Sequence, residues 1–124
     1  MGKKADAQSF LEPYKWKKRV IILVADDANH PKYRRQLELL KESSPGIRER
    51  DLIILSNQSD SLSSEIRDEI PQRFGTSDGG YRFILIGKDG TVKKDSSEVV
   101  PMKELFATID AMPMRRREMR DSDH

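Results

Sequence analysis

The segment Asp26–His30 brings together side chains whose types could carry chemistry. Its polar members are Asp26, Asp27, Asn29 and His30. A carboxylate beside an imidazole can perform acid–base catalysis or contribute ligands to a metal ion. The same residue types more commonly form turns and cap helices, because their side chains accept hydrogen bonds from nearby backbone N–H groups. We treat the segment as a candidate binding loop. The alternative to a purely structural turn is a non-thiol enzyme site or a metal-binding site at this loop.

A metal centre at this loop is not expected, because such sites usually need three or four protein ligands. The chain has two histidines, and the other one, His124, is the last residue of the sequence. The scattered serines show no spacing to His30 that would indicate a Ser-His-Asp set. The sequence accordingly predicts no catalytic residue, no metal-ligand set and no cofactor.

A second candidate follows Pro113, where methionine and arginine residues stand together. Its four consecutive residues are Met114, Arg115, Arg116 and Arg117. Methionine adapts to irregular apolar surfaces and arginine recognises carboxylates, so this run is a candidate interaction surface for a protein partner. A solvated charged end is the commoner explanation of an arginine run, and the neighbouring Glu118 weakens the basic character. Because Pro113 disfavours helical geometry before it, we expect a separate turn or short helix that docks on the domain.

The composition argues against several classes of function. The chain contains no cysteine, so it cannot supply a disulfide, a cysteine ligand to zinc or a thiolate nucleophile. Lysine and arginine number 23 against 21 aspartates and glutamates, and so small a net charge does not favour nucleic-acid binding. The one basic cluster with an aromatic residue is Trp16 among Lys15, Lys17 and Lys18. The longest apolar run, Val20–Ala25, has six residues, which predicts no membrane span.

Hydrophobic periodicity predicts the strands that must position these candidates. The expected strands lie near residues 20–25, 51–56, 82–87 and 91–94. The first three are short β-branched or leucine-rich runs, which are typical of buried strands. Asp89-Gly90 is a strong signal for a tight hairpin turn, so the last two strands should form an antiparallel pair.

Three helices are expected between and after these strands. Asn29 is a plausible N-cap of the first, Pro71 ends or kinks the second, and Pro101 opens the third. The apolar face of the third helix should place Phe106 and Ile109 against the sheet. The order β-α-β-α-β-β-α predicts an α/β fold, a thioredoxin-like three-layer sandwich with a mixed four-stranded sheet.

The domain organisation expected from these elements is simple. Residues 1–13 are expected to form a flexible N-terminal segment, and residues 14–113 the thioredoxin-like domain. Residues 114–124 form a basic C-terminal segment whose start should dock on the domain and whose end should be disordered. A chain of 124 residues has room for one such domain.

Four motifs resemble a single known family. They are Tyr14–Arg19, Glu49–Asp51, Leu85–Gly90 and Ile109–Arg116. Through them the chain resembles the peroxiredoxin-like domain-of-unknown-function family 4174. The resemblance implies a thioredoxin-like fold and a periplasmic or extracellular setting, since similar domains occur in exported bacterial proteins and in secreted sushi-repeat and matrix-associated proteins. A cytoplasmic location is the alternative.

The resemblance implies no activity, and two departures argue against redox chemistry. In peroxiredoxins and thioredoxins the reactive cysteine lies between the first strand and its helix, where this chain has Ala25–Pro31. Thioredoxins also place a proline before the third core strand, where this chain has Gly79–Tyr81. We therefore expect a non-catalytic thioredoxin-like binding module with a protein partner. The sequence predicts neither the partner's identity nor the oligomeric state.

Overall fold

Four strands form a mixed sheet at the centre of the computed structural model, which describes residues 9–76 and 79–122. The strands are β1 (Arg19–Ala25), β2 (Leu52–Ser56), β3 (Tyr81–Ile86) and β4 (Val92–Ser96). Their order across the sheet is β2-β1-β3-β4. β1 runs parallel to β2, whereas β3 is antiparallel to both β1 and β4. The predicted strands and their pairing are confirmed.

Helices cover both faces of this sheet. They are α1 (Pro31–Glu42), α2 (Ser44–Glu49), α3 (Ser64–Phe74), α4 (Met102–Asp110), α5 (Pro113–Ser122) and a 3-10 helix (Ser9–Tyr14). Alternate residues of β1 serve opposite faces, as a strand requires. Ile21 and Leu23 pack in one core with residues of α1, α2 and α4, while Val20 and Ile22 pack in another with residues of α3 and the 3-10 helix. Helices on both faces of one sheet give the three-layer sandwich that the sequence predicts.

The N-cap of α1 differs from the prediction. The cap is His30, whose Nδ1 accepts a hydrogen bond from the Lys32 N–H at 3.2 Å. Asn29 lies one residue outside the helix, and its side-chain oxygen instead accepts from the Arg34 guanidinium at 3.2 Å. An imidazole nitrogen with a free lone pair can cap a helix as an Asn side chain does, and composition alone does not separate the two.

Helix α3 continues beyond Pro71 and ends at Phe74, with Gly75 as its C-cap at a φ of 69°. A proline removes only one backbone donor from the helix. Ile70 and Phe74 remain packed in the core on either side of it. Burial of these two side chains therefore sustains one more turn than the sequence signal alone indicates.

The folded domain includes residues before position 14. Phe10 is 8% exposed and packs with the core residues Val20 and Ile22. The predicted flexible segment 1–13 thus overlaps the 3-10 helix, and its residues 1–8 lie outside the described part of the chain. The end of segment 114–124, predicted to be disordered, is helical as far as Ser122, and residues 123–124 lie outside the described part of the chain.

The sheet brings different candidates to its two ends. Asp26–His30 follow the carboxyl end of β1 directly. At the other end, the register pairs Arg19 with Leu52 and Val20 with Ile86. The start of β1, the start of β2 and the end of β3 therefore lie at the same end of the sheet, where α5 also packs.

Candidate functional site

The polar side chains of the Asp26–His30 loop hold the loop in place. Asp27 Oδ1 accepts a hydrogen bond from the Asn29 N–H at 2.8 Å, which forms an Asx turn. Asp26 Oδ1 accepts from the Thr76 hydroxyl at 3.2 Å, which ties the loop to the segment after α3. The Asp27 contact therefore stabilises the turn, and the Asp26 contact connects the loop to a neighbouring segment.

Both ring nitrogens of His30 are engaged. Nε2 lies 2.6 Å from the carbonyl oxygen of Gly79, and a carbonyl can only accept, so Nε2 carries the proton. Nδ1 accepts from the Lys32 N–H and is therefore unprotonated. This neutral tautomer leaves no lone pair free for a metal ion or for proton abstraction from a substrate.

Tyr81, whose ring centre lies 6.1 Å from that of His30, does not replace it as a base. The Tyr81 hydroxyl donates to Gln36 Oε1 at 2.9 Å. Burial raises the pKa of Tyr81 well above its usual value, and the nearby Tyr33 adds to the shift. Within residues 9–76 and 79–122, no group of three or more histidine, aspartate or glutamate side chains is placed to hold a metal ion.

The opposite end of the sheet carries a network of ion pairs that fastens α5 to the domain. Arg19 is 1% exposed and donates from its two terminal nitrogens to the two carboxylate oxygens of Glu118, at 3.2 Å each. Lys88, buried in the β3–β4 turn, donates to Glu118 at 2.6 Å and to Asp51 at 2.9 Å. Buried cations need such partners, because an unpaired charge in the interior is strongly destabilising.

Arg115 extends this network from α5 to α2 and α4. Its guanidinium donates to Asp110 at 3.0 Å and to Glu49 at 2.8 Å. Arg50 makes a two-bond contact with the same Asp110 carboxylate, at 3.0 and 2.9 Å. Burial raises the pKa of Asp110, but the two guanidinium groups outweigh it and hold this pKa below its usual value.

The carboxylates under α5 are held in the ionised form. Burial raises the pKa of Glu118, but the hydrogen bonds and charges of Lys88 and Arg19 outweigh it, so the pKa lies below its usual value. The same balance lowers the pKa of Asp51, with Lys88 as the main partner. Asp51, Asp110 and Glu118 are therefore ionised at neutral pH, and their ion pairs attach the helix to the domain.

An open groove of about 320 Å³ lies beside the network. Its apolar lining consists of Trp16, Met112, Pro113 and Met114, and its polar lining includes Arg19, Lys88, Asp89 and Lys93. Trp16 is 61% exposed, and among the described residues only it and Val92 are large apolar side chains with such exposure. The Trp16 backbone has a φ of 70°, and its N–H donates to the Lys88 carbonyl at 2.6 Å.

Helix geometry separates the residues of the predicted C-terminal surface. Met114 lines the groove, and Arg115 is buried in the ion-pair network. Successive residues of an α-helix point about 100° apart. Arg117 therefore lies on the same side of α5 as Met114, three residues before it, whereas Arg116 lies on the opposite side. Both Arg116 and Arg117 are exposed.

Sequence reasoning found part of this site. The sequence places Met114 in a candidate interaction surface, whereas Trp16 and its lysines stand out only as the basic aromatic cluster that nucleic-acid binding would need. The ion-pair roles of Lys88 and Glu118 were missed, because 30 residues separate the two in the chain. The only signal for them is a lysine directly before a hairpin turn and a glutamate within an arginine run.

Comparisons with known proteins agree with this architecture. A family model described as a domain of unknown function, DUF4174, matches residues 10–118. Sushi repeat-containing protein SRPX2 from Bos taurus and from Homo sapiens is 26% identical over 132 residues, covering 93% of this chain and 28% of each relative. Coiled-coil domain-containing protein 80 from Danio rerio is 23% identical over 136 residues, covering 90% of this chain and 16% of the relative. The chain thus spans less than a third of the length of these relatives.

Solved structures show the same fold. The reduced 2-Cys peroxiredoxin of Plasmodium vivax superposes with a TM-score of 0.66 at 17% identity, covering 86% of this chain and 84% of that one. The mitochondrial 2-Cys peroxiredoxin of Plasmodium falciparum gives a TM-score of 0.59 at 14% identity, covering 82% and 79%. At such low identity the likeness shows the fold alone, and it confirms the predicted thioredoxin-like, peroxiredoxin-like class.

No helix in the described part of the chain combines the length and the apolar character needed to cross a membrane.

Proposed function

The chain belongs to the DUF4174 domain family, and we propose that it is a protein-interaction module that works without thiol chemistry and docks its partner at the groove beside Trp16. The observation that carries this proposal is Trp16 itself, a tryptophan that is 61% exposed at the edge of an apolar groove. Tryptophan is among the residues most enriched at the energetic centres of protein interfaces.

The backbone at Trp16 supports a functional role for this exposure. A bulky residue at positive φ is uncommon and costs about 1–3 kcal/mol. The strained position presents the indole to solvent, where it contributes little to the core. A residue retained only for stability would be expected to bury its apolar surface or to adopt an ordinary backbone conformation.

The groove walls add to this support. Met112 and Met114 are flexible, polarizable side chains that fit partners of different shape. Their positions are fixed by the ion pairs of Arg115 and Glu118, which hold α5 against the domain. A rigid support under an adaptable surface lowers the ordering cost of binding.

An enzyme at the Asp26–His30 loop is less well supported. The His30 ring nitrogens are both hydrogen-bonded, and Asp26 and Asp27 are engaged in the loop's own contacts. An acid–base site needs a group that is free to exchange a proton with a substrate. We therefore propose a structural role for this loop, in which it forms the turn before α1 and caps the start of that helix.

Site-specific photo-crosslinking tests the proposal. A benzophenone amino acid is placed at Trp16 in one variant and at Ala28, an exposed residue of the Asp26–His30 loop, in a matched control. We expect a discrete protein adduct from position 16 in extracts of the natural host, and none from position 28. Excess wild-type chain should compete the adduct away, while excess Met114→Asp chain should not. An adduct only from position 28, or one that Met114→Asp competes equally well, would contradict the proposed surface.

We also propose a periplasmic or extracellular location. The similarity to sushi repeat-containing proteins supports it. The test is immunoblotting of fractionated cells of the natural host that express the complete gene. Recovery of the protein only with cytoplasmic markers would contradict this location.

A further inference from the structure

The charges that line the groove are paired. Arg19 and Lys88 are ion-paired with Glu118 and Asp51, and the lining also contains Lys93 and Asp89. Asp89 Oδ1 accepts from the Thr91 N–H at 3.0 Å, and Oδ2 from Lys93 at 3.1 Å. Hydrogen bonds from Thr91, with Lys93 adding to them, lower the pKa of Asp89 to about 2 despite partial burial. Any excess of positive charge must therefore come from residues next to the groove.

Three exposed cations lie next to groove residues, either along the chain or on α5. Lys15 and Lys17 flank Trp16 in the chain, and the Lys15 ammonium lies 5.8 Å from the centre of the indole ring. Arg117 stands beside Met114 on α5. All three side chains are exposed, and within residues 9–76 and 79–122 none of them forms an ion pair.

In the part of the chain that the structure describes, Arg19, which lines the groove, has one N–H donor without an acceptor. Arg19 uses its two terminal nitrogens on Glu118, and one of them also donates to the Arg50 carbonyl. Its Nε is buried and has no hydrogen-bond partner among the described residues. The charge of the guanidinium is thus paired with Glu118, and the Nε–H is the donor of Arg19 that the described residues leave unsatisfied.

The size of the groove limits what can occupy it. A volume of about 320 Å³ is at the lower end for small-molecule sites, which run from about 300 to 1,000 Å³. The space suits one large apolar side chain with its neighbouring backbone. The apolar part of the lining, with exposed cations beside it, complements a segment that carries an apolar residue between acidic ones.

We infer that the groove binds an acidic protein segment, with one apolar side chain between Trp16 and Met114 and flanking carboxylates facing Lys15, Lys17 and Arg117. This inference rests on the proposed function and narrows its partner class. Opposite charges across the rim speed the encounter and select the partner, while the buried apolar side chain supplies most of the affinity.

Designed peptides test the partner chemistry directly. The probe is a blocked peptide with a central leucine and three glutamates on each side; one counterpart replaces every glutamate with glutamine, and another replaces the leucine with glycine. Trp16 is the only tryptophan in the chain, so its fluorescence reports occupancy of this groove. We expect a saturable blue shift with the probe. The glutamine counterpart should bind at least about fivefold more weakly, since one exposed ion pair is worth up to about that factor. The glycine counterpart should lose at least as much, because it lacks the apolar side chain that the groove buries. Binding should weaken as salt is raised.

A matched pair of charge reversals locates the contact. Arg117→Glu should weaken binding of the probe about tenfold, because it changes one rim charge by two units. Arg116→Glu makes the same change on the opposite side of α5 and should leave binding within about twofold. Equal effects of the two variants would overturn the inference in favour of a diffuse charge effect.

The remaining outcomes separate this inference from the proposal on which it rests. Equal binding of the glutamate and glutamine peptides overturns the acidic partner but leaves Trp16 as a docking site. A crosslinked adduct at position 16 without any fluorescence response to the glutamate probe also overturns the acidic partner and leaves Trp16 as a docking site. Failure of both experiments overturns the proposed function itself.

Discussion

Glu118 and Arg19 join the last helix to the first strand, across 99 positions of the chain, through two hydrogen bonds of 3.2 Å each. Arg19 is almost fully buried, and Glu118 lies on a helix whose outer residues are mostly charged. A helix this polar gains little from apolar burial. Its attachment to the domain therefore depends on the ion pairs beneath it.

The first prediction follows from this pair. Glu118→Gln should destabilise the domain by about 2–4 kcal/mol, because it leaves the buried Arg19 and Lys88 short of negative charge. Urea unfolding followed by circular dichroism measures the change. The control is Glu38→Gln, which breaks the ion pair with Arg35, where both side chains are more than half exposed; it should cost no more than about 1 kcal/mol. Equal effects of the two variants would show that the Glu118 contact is no stronger than a surface ion pair.

The second prediction concerns acid. The pKa values of Glu118, Asp51 and Asp110 are lowered in the folded state. A lowered folded pKa contributes stability that is present above the unfolded pKa and is lost as the pH falls through the folded pKa. The free energy of unfolding should therefore decrease as the pH is lowered below 4.5, the ordinary pKa of a glutamate. The wild type should lose more than Glu118→Gln between pH 5 and pH 3, so that the two curves converge. Parallel curves would contradict the assignment of Glu118 to this network.

Much of the fold was predictable because its signals are local. The buried run of β1, the alternation of strands and helices, and the Asp89-Gly90 turn each require only neighbouring residues. The N-cap of α1 was misassigned by one residue because Asn29 and His30 are adjacent and both can accept a hydrogen bond. Helix α3 passes Pro71 because of core contacts, which a local rule does not include.

The site was less predictable because it is assembled from distant segments. The groove combines residues before β1, in the β3–β4 turn and at the junction of α4 with α5. Nothing in the sequence distinguishes Arg115, which is buried, from Arg116, which is exposed. Only the docking of α5 decides which arginine points inward, and that docking depends on partners such as Glu49, which is 66 positions away.

The third prediction separates two residues of α4. Ile109 is fully buried, whereas Phe106 is partly buried and packs beneath the Arg50 guanidinium, 4.0 Å from its ring centre. Ile109→Ala should cost about 2–5 kcal/mol, the range for a large core residue, and Phe106→Ala should cost less than a fully buried phenylalanine does, about 1–3 kcal/mol. Thermal or urea unfolding measures both. A larger loss from Phe106→Ala than from Ile109→Ala would contradict this order of burial.

The fourth prediction concerns the chemistry of the structural relatives. Although the chain shares the fold of 2-Cys peroxiredoxins, it contains no cysteine. A thiolate is the nucleophile in thiol peroxidases and disulfide reductases. Metal-free protein should therefore consume hydrogen peroxide with dithiothreitol no faster than buffer does, and should not accelerate insulin reduction. Peroxide consumption that scales with protein concentration, and disappears on heat denaturation, would contradict this expectation.

The last prediction tests the docking of α5 as a whole. Truncation after Pro113 removes both Arg115 and Glu118 and leaves Arg19 and Lys88 buried without their helix partners. The truncated chain should be less stable than the wild type by at least the loss measured for Glu118→Gln, because it also leaves Glu49 without Arg115. The double variant Arg116→Ala/Arg120→Ala changes only exposed residues of the same helix and should stay within about 0.5 kcal/mol of the wild type.

Hydrogen exchange provides the second measurement for this docking. A free peptide of ten residues is at most marginally helical, so its amides exchange fast. In the full chain the amides of residues 116–122 should be protected, because that of Arg116 donates to the Met112 carbonyl, the later ones donate within α5, and buried ion pairs hold the helix. Protection should fall in Glu118→Gln and stay unchanged in the double alanine variant. If the wild-type amides exchanged at the free-peptide rate, α5 would not be docked, and the groove wall formed by Met114 would be lost with it.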